Sequence, residues 1–159
     1  MANNINDKID SLKEKIFKAQ EAGDIAALYV LEIEAHELFD DETLSRYYAN
    51  ILELALERLT DTLEGMKRLK IDEVQDYATL RALYEYAIEH YSAEKYSDAA
   101  ALFEILSGLC EDKKFQAAMK VHTKSAQDNL NFDDFLDKIA DLDATAEAGT
   151  FYISIFKSE

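Results

Sequence analysis

The stretch from residue 83 to residue 110 limits the fold more than any other part of the chain. Its sequence, LYEYAIEHYSAEKYSDAAALFEILSGLC, carries two runs of apolar residues at helical spacing, separated by a polar turn at residues 92–95. The first run consists of Leu83, Tyr84, Ala87, Ile88 and Tyr91, and the second of Tyr96, Ala99, Phe103, Leu106 and Cys110. Because each run forms one apolar face, the two helices are predicted to fold back on each other.

The composition of the whole chain also favours helices. Its 159 residues include no proline and only four glycines, so few positions suit the turns of a β-sandwich or barrel. The apolar fraction of 48% allows a core of ordinary size for one domain. We therefore predict an all-α fold of antiparallel helical hairpins, as a repeat-like bundle or short solenoid of seven or eight helices.

The predicted single domain, residues 1–159, has three parts. They are a helical hairpin plus a long helix (1–70), repeat-like helical hairpins (72–142) and an apolar tail (149–159). In the long helix, apolar residues keep near-heptad spacing over residues 44–66, which fits either a coiled-coil seam or a core helix of a bundle. Asp72, with Gln75 three residues later, predicts a capping box where the repeat-like part begins.

The tail concentrates apolar side chains. Five of the six residues from 151 to 156 are apolar or aromatic, and β-branched Ile153 and Ile155 leave helix and strand both open. Such a segment has to be covered. The body of the bundle, a client-binding groove and an oligomer contact are three covers that fit the pattern.

Charge and apolar patterning narrow the range of partners and locations. Seventeen basic against thirty-three acidic residues give a formal net charge of −16, which repels nucleic acid, so no nucleic-acid partner is expected. No run of 18 apolar residues and no signal-peptide pattern occurs, so neither membrane insertion nor secretion is expected. The single Cys110 lies on an apolar stripe and suits a small buried residue. The expected location is the cytoplasm.

The residues that usually carry chemistry show no spacing typical of an active site. His36, His90 and His122 are far apart in the sequence, and no HExxH, phosphate-binding glycine loop or GxSxG motif occurs. We therefore expect no catalytic residues, no metal site and no cofactor.

Tyrosine is concentrated in one part of the chain. Five of the nine tyrosines fall within 20 residues, at positions 77, 84, 86, 91 and 96. One interpretation is that the rings fill the space between helices and direct their hydroxyls to water. The other is that Tyr84, Ile88 and Tyr91 line the inner face of a hairpin and bind an extended peptide. Helical spacing does not decide between the two.

Within residues 83–110, the pattern LY..A...Y...KY.DA...F..L resembles a tetratricopeptide repeat. It is most similar to the first repeat of the class II chaperones of type III secretion, which hold translocator proteins before export. The resemblance implies a cytosolic chaperone or adaptor that holds a short extended segment of a translocator or other secreted client in a helical groove. The partner-binding residues implied by position are Tyr84, Ile88, Tyr91, Tyr96 and Phe103.

A second hypothesis makes the chain a structural component of an assembly, which works by homo- or hetero-oligomerisation without a client. The near-heptad helix and the apolar tail are more apolar surface than a small monomer usually exposes. We therefore expect a homodimer.

Overall fold

A computed structural model describes residues 4–157 and confirms the all-α class. Within that range nine α-helices and a π-helical segment occur, and no strand. The helices are α1 (Asn4–Glu21), α2 (Ile25–Val30), α3 (Glu32–Leu38), α4 (Asp41–Glu64), α5 (Val74–Ser92), α6 (Tyr96–Leu109), α7 (Lys113–Gln127), α8 (Phe132–Asp134) and α9 (Leu142–Ala148), and the π-helical segment is Phe135–Ile139. The ends of the predicted domain and tail, residues 1–3 and 158–159, lie outside the described residues.

The number of helices exceeds the predicted seven or eight partly because the second helix of the hairpin predicted within residues 1–70 is divided into α2 and α3. At Leu31 the backbone N–H donates a hydrogen bond to the carbonyl of Leu28, three residues back, over 3.2 Å. This bond tightens the last turn of α2, and a new helix starts at Glu32.

The hairpin predicted over residues 83–110 is present as the second half of α5 and the whole of α6. Its turn places Glu94 in the left-handed region, with φ of 64°. The Lys95 N–H donates to the carbonyl of His90, which closes the turn. Ala87 of α5 and Ala99 of α6 are both fully buried, so small side chains occupy the packed faces of the two helices. Helices α4, α5, α6 and α7 pack in sequence, each against the next.

The predicted capping box is wrong, because Gln75 has a tertiary partner instead. Helix α5 begins one residue later, at Val74, and Glu73 before it makes no side-chain cap. The Gln75 side chain donates to the carboxylate of Asp24 and accepts the N–H of Ala26. Asp24 also caps α2, so Gln75 attaches the start of α2 to α5.

The apolar residues in the middle of the long helix α4 pack against other helices of the same chain. Tyr47, Ile51 and Ala55 are buried, and α4 packs against α2 and α5. At its C-terminal end, Leu63 and Met66 are 54% and 93% exposed. Over its middle turns α4 is therefore a core helix of the bundle, which is one of the two interpretations of its near-heptad spacing.

A buried carboxylate joins α4 to the start of α5. Asp76 is 6% exposed and accepts a hydrogen bond from Arg58 Nη2 over 2.6 Å. Its second oxygen accepts the backbone N–H of Lys70 over 2.9 Å. The three groups hold the chain that connects the two helices.

Replacing Asp76 with alanine is expected to lower the free energy of unfolding by about 2 kcal/mol, because it leaves the Lys70 N–H and the half-buried Arg58 guanidinium without their partner. Urea denaturation measures the loss. Lys124→Ala is the matched control, since it removes an exposed ion pair with Asp128 and should change stability by less than about 0.5 kcal/mol. Equal losses in both variants would contradict the assigned role of Asp76.

Candidate functional site

The tail, described over residues 149–157, is neither helix nor strand. Gly149 ends α9 in the left-handed conformation, with φ of 70°. Near its other end the tail makes one isolated antiparallel β-bridge, between Phe156 and Ala140. The sequence left helix and strand open, and the structure forms neither.

The tail lies against aromatic side chains of α5 and α7, which we call the tail-binding face. This face consists of Tyr77 and Tyr84 of α5 and Phe115 and His122 of α7. The tail is therefore covered within its own chain, by side chains of α5 and α7. The covered region carries two of the four tyrosines of α5, Tyr77 and Tyr84.

Phe151 is the tail residue with the most aromatic neighbours in the face. Its ring centroid lies 5.0 Å from that of Tyr77, 6.0 Å from Tyr84 and 5.9 Å from Phe115. Several of these contacts have the edge-to-face geometry that aromatic pairs prefer. Phe151 thus inserts between the two helices.

Two further tail rings extend the contact along α7. Tyr152 is 4% exposed, and its ring centroid is 5.0 Å from that of Phe115. The Phe156 ring meets His122 edge to face at 6.0 Å. Three aromatic side chains of the tail therefore contact the face over a span of six residues.

A chain of hydrogen bonds crosses the buried part of the site. His122 Nδ1–H donates to the carbonyl of Ala118 over 2.7 Å, which leaves Nε2 to accept the Tyr84 hydroxyl over 2.8 Å. The Tyr84 oxygen in turn accepts the backbone N–H of Ile153, in the tail, over 3.1 Å. The hydroxyl of Tyr84 thus links α7 to the tail.

Burial keeps both members of this chain uncharged. His122 is fully buried, and loss of hydration lowers the pKa of its imidazole to about 4. Burial also raises the pKa of the Tyr84 phenol. At neutral pH an uncharged Tyr84 hydroxyl therefore donates to an uncharged His122 imidazole.

Helix α9 and the residues just before it supply further main-chain partners of the tail. The Thr145 hydroxyl oxygen accepts the N–H of Ser154 over 3.3 Å and that of Ile155 over 3.1 Å. The carbonyl of Ile155 accepts the N–H of Asp141 over 2.9 Å. These bonds satisfy polar groups of a segment without regular secondary structure.

The predicted partner-binding residues fall at different depths. Tyr84 belongs to the tail-binding face, whereas Tyr91 and Phe103 are fully buried deeper in the core. Ile88 and Tyr96 are half-buried and pack against that core. The structure brings Tyr84, Tyr91, Tyr96 and Phe103 into one aromatic cluster, in which neighbouring ring centroids are 6.0 to 6.1 Å apart.

Phe115 and His122, the α7 half of the face, were not among the predicted site residues. Tyr77 and Tyr84 are seven residues apart on α5, and Phe115 and His122 have the same spacing on α7. Seven residues make almost two helical turns, so each pair lies on one side of its helix. This repeated spacing is the feature of the sequence from which the α7 half of the face could have been predicted.

A polar cluster between α3 and α5 is fully paired. Arg81 lies 3.0 Å from a Glu32 oxygen and 2.9 Å from a Glu85 oxygen, with its guanidinium 4.0 Å from the ring centroid of Tyr29. Burial raises the pKa of the Glu85 carboxyl, although Arg81 opposes the shift. The charged groups of this cluster pair with one another and join α3 to α5. The tail-binding face is therefore the candidate site.

Within residues 4–157, no group of three or more His, Cys, Asp or Glu side chains is placed to bind a metal ion. In the same range no helix is long and apolar enough to cross a bilayer. Cys110 is fully buried, and burial raises the pKa of its thiol. The cysteine therefore packs as a small core residue.

We compared the chain with protein-family models, with curated proteins and with solved structures, and none of the three comparisons finds a match. The resemblance to the class II chaperones therefore depends on the pattern within residues 83–110 alone.

Proposed function

We propose that this chain is a cytosolic protein-binding chaperone or adaptor. In its most concrete form it is a type III secretion chaperone that holds a translocator or other secreted client in a helical groove. The observation that supports the proposal is the tail-binding face, where α5 and α7 hold a non-helical segment by aromatic packing and by hydrogen bonds to its backbone. Both kinds of contact are typical of sites that recognise extended peptides.

The charge of the chain suits such a role. A formal net charge of −16 favours solubility and repels other acidic proteins, while it attracts a client with a basic segment. A chaperone whose client exposes apolar side chains requires this solubility. The charge therefore supports the proposed class of function.

Site-specific photo-cross-linking tests the proposal. A photo-reactive phenylalanine analogue replaces Tyr77, which is 39% exposed at the rim of the tail-binding face, or Phe17, which is 62% exposed on α1. In the native cytoplasm we expect position 77 to cross-link one client protein, and position 17 not to do so. The purified client must then bind the purified chain in vitro. Equal cross-linking of that client from both positions would contradict the proposal.

The alternative, an assembly component without a client, is favoured by a different observation. Six of the ten exposed large apolar side chains in the described range lie within residues 1–70. They are Ile5, Phe17, Val30, Ile33, Leu63 and Met66. In the same experiment, cross-links from position 17 to a second copy of the chain, with no client at position 77, would favour this alternative and the predicted homodimer.

A further inference from the structure

The tail is attached to the bundle without a helix or sheet of its own. Its main-chain bonds go to the Tyr84 and Thr145 hydroxyls and to the short segment that contains Ala140. None of these bonds is part of a helix of the bundle. Segments held in this way open at lower free energy than core helices.

The tail is also only partly buried. Tyr152 and Ser154 are buried, whereas Phe151, Ile153 and Phe156 are half-buried. Its apolar contact is therefore weaker than that of the fully buried rings of α5 to α7. Gly149, whose left-handed conformation suits glycine, connects it to α9 and adds a position of high conformational freedom.

The surface beneath the tail requires a cover. In the structure Tyr84 is 4% exposed and Phe115 fully buried, and tail rings contact both side chains. Without the tail, the face would expose aromatic surface and leave the Tyr84 oxygen without the Ile153 N–H. An exposed apolar patch of this kind marks a protein-binding site. A segment that replaces the tail should thus reproduce its chemistry.

We propose that the tail is an intramolecular occupant of the client site, and that a client displaces it with a segment of similar chemistry. The tail specifies that segment: two adjacent aromatic residues, as at Phe151 and Tyr152, and a third four positions later, as at Phe156. A basic residue should come after the third aromatic residue of the client segment. In the tail this position is Lys157, whose Nζ–H donates to the carbonyl of Asp137, and the net charge of −16 favours a basic residue there. This inference rests on the proposed function.

A peptide added in trans tests whether the face is an exchangeable site. The probe is the fluorescein-labelled peptide GTFYISIFK, the sequence of residues 149–157, and the receptor is the full chain carrying Phe151→Ser and Phe156→Ser. Fluorescence anisotropy should show the peptide binding this variant about 10-fold or more tighter than the parent, whose own tail competes at high effective concentration. A peptide with serine at its three aromatic positions should not bind.

The matched control is Leu142→Ser, which removes a 47% exposed apolar side chain from α9 outside the face. This variant should bind the peptide no better than the parent does. If the double variant keeps the helical circular dichroism of the parent but does not bind the peptide, the proposal is wrong.

Hydrogen exchange in the parent decides the question even if the double variant fails to fold. The Ile153 and Ile155 amides are expected to exchange about 100-fold or more faster than the amides in the middle of α5, because the tail opens without unfolding the bundle. Equal exchange rates would mean that the tail opens only on global unfolding. That result would overturn the proposal.

The two proposals can fail separately. If a client cross-links at position 77 but the tail amides exchange as slowly as those of α5, the client-binding function stands and the displacement of the tail is wrong. If the peptide binds in trans and no client cross-links at position 77, the face is an exchangeable site and the chaperone function is wrong.

Discussion

Replacing Tyr91 with alanine is expected to lower the free energy of unfolding by about 4 kcal/mol, the typical loss for a buried aromatic side chain. Tyr91 is fully buried, and its ring centroid lies 5.4 Å from that of Phe132 and 5.6 Å from that of Phe135. Its hydroxyl donates to the carbonyl of Leu130 over 2.6 Å. The substitution removes contacts that join α5 to the chain after α7. Urea denaturation measures the change.

Two control variants separate the contributions to this loss. Tyr91→Phe keeps the ring and removes only the hydrogen bond to Leu130, so a loss of about 1 kcal/mol is expected. Tyr77→Ala removes a tyrosine that is 39% exposed on the same helix, and it should cost clearly less than Tyr91→Ala. Similar losses for the two alanine variants would show that Tyr91 contributes no more to the core than the half-exposed Tyr77.

Lowering the pH from 6.5 to 4 is expected to destabilise the fold by about 3 kcal/mol through His122. Burial lowers the pKa of this side chain from 6.5 to about 4, so within this window the unfolded state binds a proton that the folded state does not. Stability therefore falls as the pH falls. The penalty is absent above pH 6.5 and complete below about pH 4. Denaturation midpoints measured across this range report the slope.

His122→Gln isolates this contribution, because glutamine does not titrate and its side-chain oxygen can still accept the Tyr84 hydroxyl. The variant should lose most of the pH dependence between 6.5 and 4. The raised pKa of Glu85 has the opposite sign, since a carboxyl that protonates more readily when folded gains stability as the pH falls. An unchanged slope in His122→Gln would assign the pH dependence to other groups.

The helices themselves follow from local sequence. Apolar residues at helical spacing predicted α4 and the α5–α6 hairpin. The cap at Asn131, which accepts the N–H of Asp134, is also a local feature. Local patterns suffice here because periodicity and capping involve residues within one or two turns of each other. The all-α class was therefore predictable.

The candidate site depended on contacts between distant parts of the chain. Tyr84 and Tyr91 share one apolar stripe, and their spacing could not show that the first would meet the tail and the second Phe135. The sequence could not show that His122 would bond to Tyr84, which lies 38 residues earlier in the chain. Gln75 likewise bonds to Asp24, which is 51 residues away in the sequence, and does not form the predicted local cap.

The sequence by itself determined the long helices, such as α4, α5 and α6, and which face of each is apolar, because both depend on periodicity within a segment. Only the tertiary structure decided what covers each face and how the tail is folded. The tail has no strong local preference, so its conformation depends on Tyr84, Phe115 and Thr145, which reach it from three different helices. In a stack of helices more than one side of a helix is covered, and one apolar stripe does not specify its neighbours.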